Sequence, residues 1–309
     1  MQKLLRITAL LLLIACTETD KHGRSLDTPT SGSITVAADE SLRPLIDAEI
    51  AAFEGIYTKA NINVIYTSER EAIEDLLSDS ARCVIVTRRL DSDEMQILTD
   101  QKVKGMHRTV AKGAVALIVN KQNPDTLIRL EDLRKILSGE TKSWKTPQSS
   151  HAPLGIEVVF DQPNAGIIQY LRDSLHLFGD KLPENFFAVN GNKEVVEYIS
   201  RNPQALGLID VSWISDSDDS TANSFLNTVC VVGISTDSVF YQPYQAYVAL
   251  GQYPLSREVI MISREARTGL ASGFLSFIAS DKGQRVVLKS GLVPATMPIR
   301  IIEVNHEPL

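Results

Sequence analysis

The stretch from Asn63 to Val86, NVIYTSEREAIEDLLSDSARCVIV, contains the pattern of a strand, a helix and a second strand. Asn63 to Tyr66 and Cys83 to Val86 are short runs rich in β-branched residues, which favour strands. Between them, Ser68-Glu-Arg-Glu71 forms a capping box, and the apolar residues behind it recur at helical spacing. The stretch therefore predicts one β-α-β unit.

The same alternation continues on both sides of this unit. Further strands are predicted at 34–37, 114–120, 156–160, 186–189, 205–211 and 228–234, and further helices at 42–53, 130–137, 165–177 and 193–200. Such alternation predicts an α/β fold with mostly parallel sheets covered by helices. The apolar runs 114–120 and 228–234 are predicted to cross between two lobes. The result is a two-lobed clamshell, in which residues 33–119 plus 235–303 form lobe 1 and residues 120–234 form lobe 2.

The N-terminus has the pattern of an exported and anchored protein. Two basic residues precede an apolar run, 7–14, that is too short to span a bilayer. The run ends in Leu13-Ile-Ala-Cys16, which resembles a bacterial lipobox. We therefore expect residues 1–16 to be a signal peptide ending in a lipidated Cys16, and residues 17–32 to be a flexible polar tether. The expected location is the cell envelope, with the outer membrane favoured and the lipid anchor as the membrane attachment.

The composition excludes several functional classes. The net charge of −7 argues against a nucleic-acid partner. No nucleotide-binding loop, hydrolase motif or zinc motif is present, so we expect neither an enzyme nor a cofactor or metal site. The acidic segment 216–223 is interpreted as a surface loop in preference to a calcium site. Cys83 and Cys230 lie in separate predicted strands and are expected to be buried thiols, with a disulfide as the less favoured alternative.

Several motifs resemble those of a known family in order and spacing. They are Gly113-Ala-Val-Ala-Leu-Ile-Val-Asn120, Leu130-Glu-Asp-Leu133, Ile136-Leu-Ser-Gly139 with Trp144, Tyr253-Pro-Leu-Ser-Arg257, Phe274-Leu-Ser-Phe-Ile278 and Gly291-Leu-Val-Pro294. The family is the PstS-like phosphate-binding proteins of ABC transporters, of the type 2 periplasmic-binding-protein fold, and the Bacteroidetes-type lipoprotein branch is the most similar. The resemblance implies a solute-binding protein that captures phosphate or a similar small anion between its lobes and delivers it to a transporter permease.

The resemblance also implies which residues surround the ligand. In the family, the anion binds to loops at helix starts, where backbone N–H groups are free. The matching positions are Ser41, Leu42, Ser68, Thr87, Arg88, Asp161, Asn164, Ala165, Gly166 and Ile167.

The side chains at these positions depart from the family pattern. Where the family has a serine followed by an aspartate, this chain has Thr87 and Arg88. Where the family has an arginine and then Ser-Gly-Thr, this chain has Asp161 and then 165–167, Ala-Gly-Ile. Either Arg88 binds a different ligand while Asp161 accepts hydrogen bonds from it, or the two residues pair and close an empty cleft. In the second case the chain would serve without a small ligand, as an accessory or interaction component of an envelope complex.

Overall fold

The computed structural model describes residues 27–145, 155–179, 181–215, 220–265 and 267–298. The strands in these ranges are β1 (Ser31–Asp39), β2 (Lys59–Thr67), β3 (Cys83–Val86), β4 (Met106–Asn120), β5 (Leu127–Arg129), β6 (Glu157–Phe160), β7 (Phe186–Ala188), β8 (Ala205–Asp210), β9 (Val229–Val231), β10 (Gly233–Ser235), β11 (Ser256–Ser263) and β12 (Val293–Pro294).

The helices are named in the same way, in chain order. They are α1 (Arg43–Ile56), α2 (Glu69–Leu77), α3 (Ser92–Asp100), α4 (Leu130–Leu137), α5 (Gly166–Gln169), α6 (Asn192–Arg201), α7 (Ser212–Ser215), α8 (Ser220–Leu226), α9 (Gln245–Ala249), α10 (Leu270–Ile278) and α11 (Asp281–Lys289), with a 3-10 turn at Glu40–Leu42 and a π turn at Tyr170–Ser174. None of the helices in the described ranges combines the length and the apolar content that a membrane span requires.

Most strands form one curled mixed sheet in the order β2-β1-β3-β11-β4-β8-β6-β7, with β9 and β12 also on β4. Neighbours β1 with β2 and β6 with β8 are parallel, whereas β11 and β8 run antiparallel to β4. Strand β4 belongs to both halves of the sheet, because its beginning pairs with β11 and its end pairs with β8. We call β2, β1, β3 and β11 the first half, and β8, β6 and β7 the second half. The predicted α/β fold is confirmed.

The part of β4 that joins the two halves is buried. From Val110 to Asn120 only Lys112 is partly exposed, as expected for a strand covered on both faces. The chain returns by β9, which pairs antiparallel with the end of β4, and by β10, which pairs with β5. The predicted crossing 228–234 therefore contains two short strands.

Aromatic side chains fill the interior on both sides of β4. In the first half, Phe53 of α1 meets Phe274 and Phe277 of α10 at ring-centroid distances of 5.3 and 5.4 Å. In the second half, Phe186 meets Phe160 at 5.8 Å and Phe178 at 5.3 Å. Ring pairs at these distances add to the hydrophobic stabilisation of each half.

The fold begins earlier than the sequence analysis predicted. Strand β1 starts at Ser31, and the Asp27 carboxylate accepts a hydrogen bond from the Leu270 backbone N–H at 2.6 Å, at the start of α10. Residues 27–32 therefore belong to the folded body and not to a tether. Cys16 and the predicted signal peptide lie outside the described residues.

Three local expectations also need correction or refinement. The predicted helix 165–177 is instead the short helix α5 followed by the π turn. In the predicted acidic loop 216–223, residues 220–223 lie in α8, and residues 216–219 are outside the described residues. Cys83 and Cys230 are both free thiols, as expected, but only Cys83 is fully buried. The favoured thiol state is confirmed, and the expected burial of Cys230 is only partial.

Candidate functional site

The carboxylate of Asp39 connects the two halves of the sheet. Asp39, at the end of β1, accepts a hydrogen bond from the Ser41 backbone N–H at 2.9 Å through Oδ1. Its Oδ2 accepts from the Gly166 backbone N–H at 3.0 Å, at the start of α5 in the second half. Gly166 lacks a side chain, so the carboxylates of Asp39 and Glu69 can both approach its backbone. The loops of Ser41 and Gly166 thus face one another, as the predicted site requires.

A second carboxylate makes the same kind of connection. Glu40 Oε2 accepts hydrogen bonds from Asn192, from the backbone N–H at 3.3 Å and from Nδ2 at 2.6 Å. The Asn192 amide also donates to Asp161 Oδ2 at 3.1 Å. All three side chains are buried. The first residue of α6 therefore holds two acids, one from each half of the sheet.

The third carboxylate belongs to Glu69, the residue after Ser68. Its Oε2 accepts from the Thr87 backbone N–H at 2.5 Å and from Thr87 Oγ1 at 2.7 Å. Ser68 itself caps α2, because its hydroxyl accepts from the Glu71 N–H and the Glu71 carboxylate accepts from the Ser68 N–H. The predicted capping box is confirmed, and it occupies the Ser68 groups that were expected to face a ligand.

We call Asp39, Glu40, Glu69 and Asp161 the acidic cluster. Arg257 of β11 lies beside it, and its Nη2 donates to Ser41 Oγ and to Asp210 Oδ2, both at 2.8 Å. The Arg257 and Asp210 side chains are 1% and 0% exposed, so this ion pair is fully desolvated. Each end of the pair belongs to a different half of the sheet.

Burial and mutual repulsion change the protonation of these acids. Burial, together with the charges of Asp39 and Glu40, raises the pKa of Asp161 to about 8. Burial and the Asp39 charge raise the pKa of Glu69, and burial raises that of Glu40. Although burial acts to lower the pKa of Arg257, the Asp210 and Asp39 carboxylates raise it overall. At neutral pH, Asp161 is therefore mainly protonated and Arg257 is charged.

The structure brings some of the predicted ligand residues together and separates others. Ser41, Thr87, Asp161 and Gly166 each bond to, or belong to, the acidic cluster. The side chains of Leu42, Ala165 and Ile167 are buried in the hydrophobic core, whereas Asn164 is exposed.

Arg88 is paired differently from either expectation. Its guanidinium binds Glu94 through two hydrogen bonds of 2.7 Å and lies 3.8 Å from Glu69 Oε1. The hydrogen bond to Glu94 is the main reason why the pKa of Arg88 is raised. The ion pairs of Arg88 thus lie within the first half, and a pair between Arg88 and Asp161 is not formed in the described part of the chain.

Sequence reasoning missed the residues that fill the site. Asp39 is the last residue of β1 and Glu40 follows it, and their position at the carboxyl end of a parallel strand was the available signal. Arg257 occupies an inward-facing position of β11, since it alternates with the exposed Glu258. Adjacent charges in a loop usually face solvent, which is why their burial is visible only in three dimensions.

The acidic cluster does not have the arrangement of a metal site. Within the described ranges, no group of three or more His, Cys, Asp or Glu side chains is placed to hold a metal ion. The carboxylate oxygens point instead at N–H donors of the chain. The chemistry that this arrangement offers is hydrogen bonding to oxyanions by backbone N–H groups from both halves.

Comparison with known proteins agrees with this fold. The PBP superfamily domain model matches residues 24–282. The phosphate-binding protein PstS of Bacillus subtilis (strain 168) is 23% identical over 272 residues, which cover 86% of this chain and 82% of the relative. The phosphate-binding protein PstS of Borreliella burgdorferi is 22% identical and covers 84% of this chain and 89% of the relative. A Clostridium perfringens structure, described as a phosphate ABC transporter substrate-binding protein with bound phosphate, superposes with a TM-score of 0.72 at 20% identity, over 85% of this chain and 100% of that chain.

Proposed function

The chain belongs to the PBP superfamily, and on that premise we propose that it is the solute-binding component of an ABC-type importer. In this role it captures a small oxyanion, phosphate or a related ion, between the two halves of its sheet and presents it to a membrane permease. The names of its relatives support phosphate as the first ligand to test. We further propose that a lipid on Cys16 holds the protein in the cell envelope, with the outer membrane favoured.

One observation carries this proposal. Three backbone N–H groups, those of Thr87, Gly166 and Asn192, meet at the junction of the two halves, and each of them binds a carboxylate. A carboxylate is itself an oxyanion with the same hydrogen-bonding needs as a phosphate oxygen. The donors are therefore already arranged for oxyanions. An external anion binds there by taking the place of Asp39, Glu40 or Glu69.

The replacement of a carboxylate side chain by the solute explains how such an acidic site can accept an anion. Asp39 and Glu40 reach across the junction and hold the two halves together. When these side chains turn away, or when Glu40 takes up a proton, the donors become free and the repulsion of an anion decreases. Because burial raises the pKa of Glu40 and that of Asp161, a lower pH favours this state.

Calorimetric titration of the mature protein tests the proposal. Phosphate, arsenate, sulfate and acetate are each titrated at millimolar concentration, at two temperatures so that a small heat is not mistaken for an absence of binding. We expect phosphate to bind, and sulfate to bind more tightly at acidic than at neutral pH. Sulfate keeps its own charge over this range, so its pH dependence reports the acids of the site.

A second candidate follows from the same contacts. The three backbone donors are occupied by the chain's own carboxylates, so their hydrogen-bonding needs are met within the chain. In this case the chain acts as an accessory or interaction component of an envelope complex. This second function is favoured if no oxyanion produces heat or raises the melting temperature of the protein at either pH. Chemical cross-linking in intact cells should then retrieve envelope proteins other than an importer permease.

A further inference from the structure

Arg257 lies at the base of the junction between the two halves. It is the second residue of β11, and its Cα pairs with that of Gly113 in the buried part of β4. Arg257 is 3% exposed, and Arg264, the residue that follows the other end of β11, is 9% exposed. Enclosing a guanidinium is costly unless its donors are satisfied. The hydrogen-bond partners of the Arg257 N–H groups therefore indicate the role of this residue.

The five N–H groups of Arg257 are only partly used. Nη2 has two hydrogens, and both have acceptors, Ser41 Oγ and Asp210 Oδ2. Nε and Nη1 are buried and have no hydrogen-bond partner among the described residues. One arginine in the site thus carries three N–H groups that are available to a further acceptor.

The neighbouring acids do not supply that acceptor. Asp39 and Glu69 are close enough for their charges to raise the pKa of Arg257, yet their oxygens bind the backbone of Gly166 and Thr87 instead. If the role of Arg257 were only to neutralise buried acids, its free donors would be expected to turn towards them. The arrangement leaves a cation with free N–H groups beside a set of backbone donors.

The Ser41 hydroxyl adds a further hydrogen-bond donor beside Arg257. Its Oγ accepts from Arg257, and among the described residues its hydroxyl hydrogen has no acceptor. A hydroxyl that accepts a charge-assisted hydrogen bond becomes a better donor, because the two bonds polarise one another. Ser41 also lies next to Asp39, through the bond from its own N–H. Arg257 and Ser41 therefore present donors in the same region from which Asp39 reaches Gly166.

We propose that Arg257, through Nη1 and the Ser41 hydroxyl that it holds, is the cationic contact for the oxyanion in this site. The assignment rests on the proposed function and makes it more specific, because it requires a ligand oxygen with a full or partial negative charge at the base of the junction. A neutral sugar or a cation does not meet this requirement. Arg88, the cation expected from the sequence, is occupied by Glu94.

The test compares two buried arginines, one near each end of β11. Arg257→Lys keeps the charge but removes the planar set of donors. The matched control is Arg264→Lys, since Arg264 is also buried but donates to the Leu76 carbonyl and to Gln101 Oε1, away from the acidic cluster. We expect Arg257→Lys to weaken phosphate binding by about tenfold to a hundredfold, the loss of one charge-assisted contact. Arg264→Lys should bind phosphate as the wild type does.

A second measurement uses the wild-type protein and does not depend on the stability of a variant. The ¹⁵N resonance of Arg257 Nε, assigned by NMR, should shift when phosphate reaches saturation, whereas that of Arg264 should not. Equal phosphate affinity in the wild type and a folded Arg257→Lys variant overturns the assignment, and so does an unchanged Arg257 resonance at saturation. If the wild type binds no oxyanion at all, the proposed function fails, and this assignment fails with it.

Discussion

Replacement of Asp39 by asparagine is the most direct test of the exchange between carboxylate and solute. The Asp39 carboxylate holds the Gly166 N–H through Oδ2 at 3.0 Å and the Ser41 N–H through Oδ1 at 2.9 Å. In the Asp39→Asn variant, the amide oxygen keeps the bond to Ser41. The amide nitrogen cannot accept a hydrogen bond, so the Gly166 N–H becomes free and one negative charge is removed.

The magnitude follows from the geometry. If an anion oxygen takes the Gly166 N–H and the displaced Asp39 carboxylate stays about 4 Å away, the two like charges repel by about 4 kcal/mol at an effective dielectric constant of about 20. Removal of this repulsion corresponds to at most about a thousandfold gain in affinity. Because Asp39 can move when the halves separate, we expect the observed gain to lie between about tenfold and a thousandfold.

Isothermal titration with phosphate at neutral pH measures the effect. Asp93→Asn serves as the control, because Asp93 is exposed on α3 and its replacement makes the same change in total charge. We expect the control to bind phosphate like the wild type. Unchanged or weaker binding in a folded Asp39→Asn variant would refute the reasoning, and weaker binding would indicate that Asp39 accepts a hydrogen bond from the ligand.

Three further predictions concern stability and reactivity. Burial raises the pKa of Glu49 to about 9, and both of its carboxylate oxygens lack a partner among the described residues. The native state thus keeps a proton that the unfolded chain loses above its normal pKa, so wild-type stability falls relative to Glu49→Gln as the pH rises. In guanidinium unfolding, the free energy of unfolding of the wild type should fall relative to that of Glu49→Gln by about 1.4 kcal/mol per pH unit between about pH 5.5 and 7.5. A difference between the two proteins that does not change with pH would contradict this prediction. Phe53→Ala should lower the free energy of unfolding by about 3 to 5 kcal/mol in urea, because Phe53 packs against three aromatic rings. Burial raises the pKa of Cys83, so peptide mapping should find Cys230 labelled by a thiol reagent in the native protein and Cys83 only after unfolding.

Strands and helices with a complete local pattern were predictable from the sequence. Cys83–Val86 has the predicted bounds because four apolar residues in a row are all buried. β2 starts at Lys59, earlier than predicted, because its pairing with β1 continues through polar residues such as Asn61. The π turn at Tyr170–Ser174 has no local signature, since its apolar residues have the same spacing as those of an ordinary helix.

The site was predictable as a meeting of loops but not as a set of contacts. The loops of Ser41, Thr87 and Gly166 all contact the acidic cluster. The acids that occupy the donors depend on partners far along the chain, 127 residues apart for Asp39 with Gly166 and 152 for Glu40 with Asn192. No local rule distinguishes such an acid from one that faces water.

The bare backbone at Gly166 has a practical consequence for probing the contact between the two halves. A methyl group at that position would overlap the Asp39 carboxylate and approach that of Glu69. Alanine there would push the Asp39 carboxylate away from the Gly166 N–H, so it removes one contact between the two halves while it changes no charge. Small-angle scattering of such a variant would show whether the loss of this one contact changes the dimensions of the protein in solution.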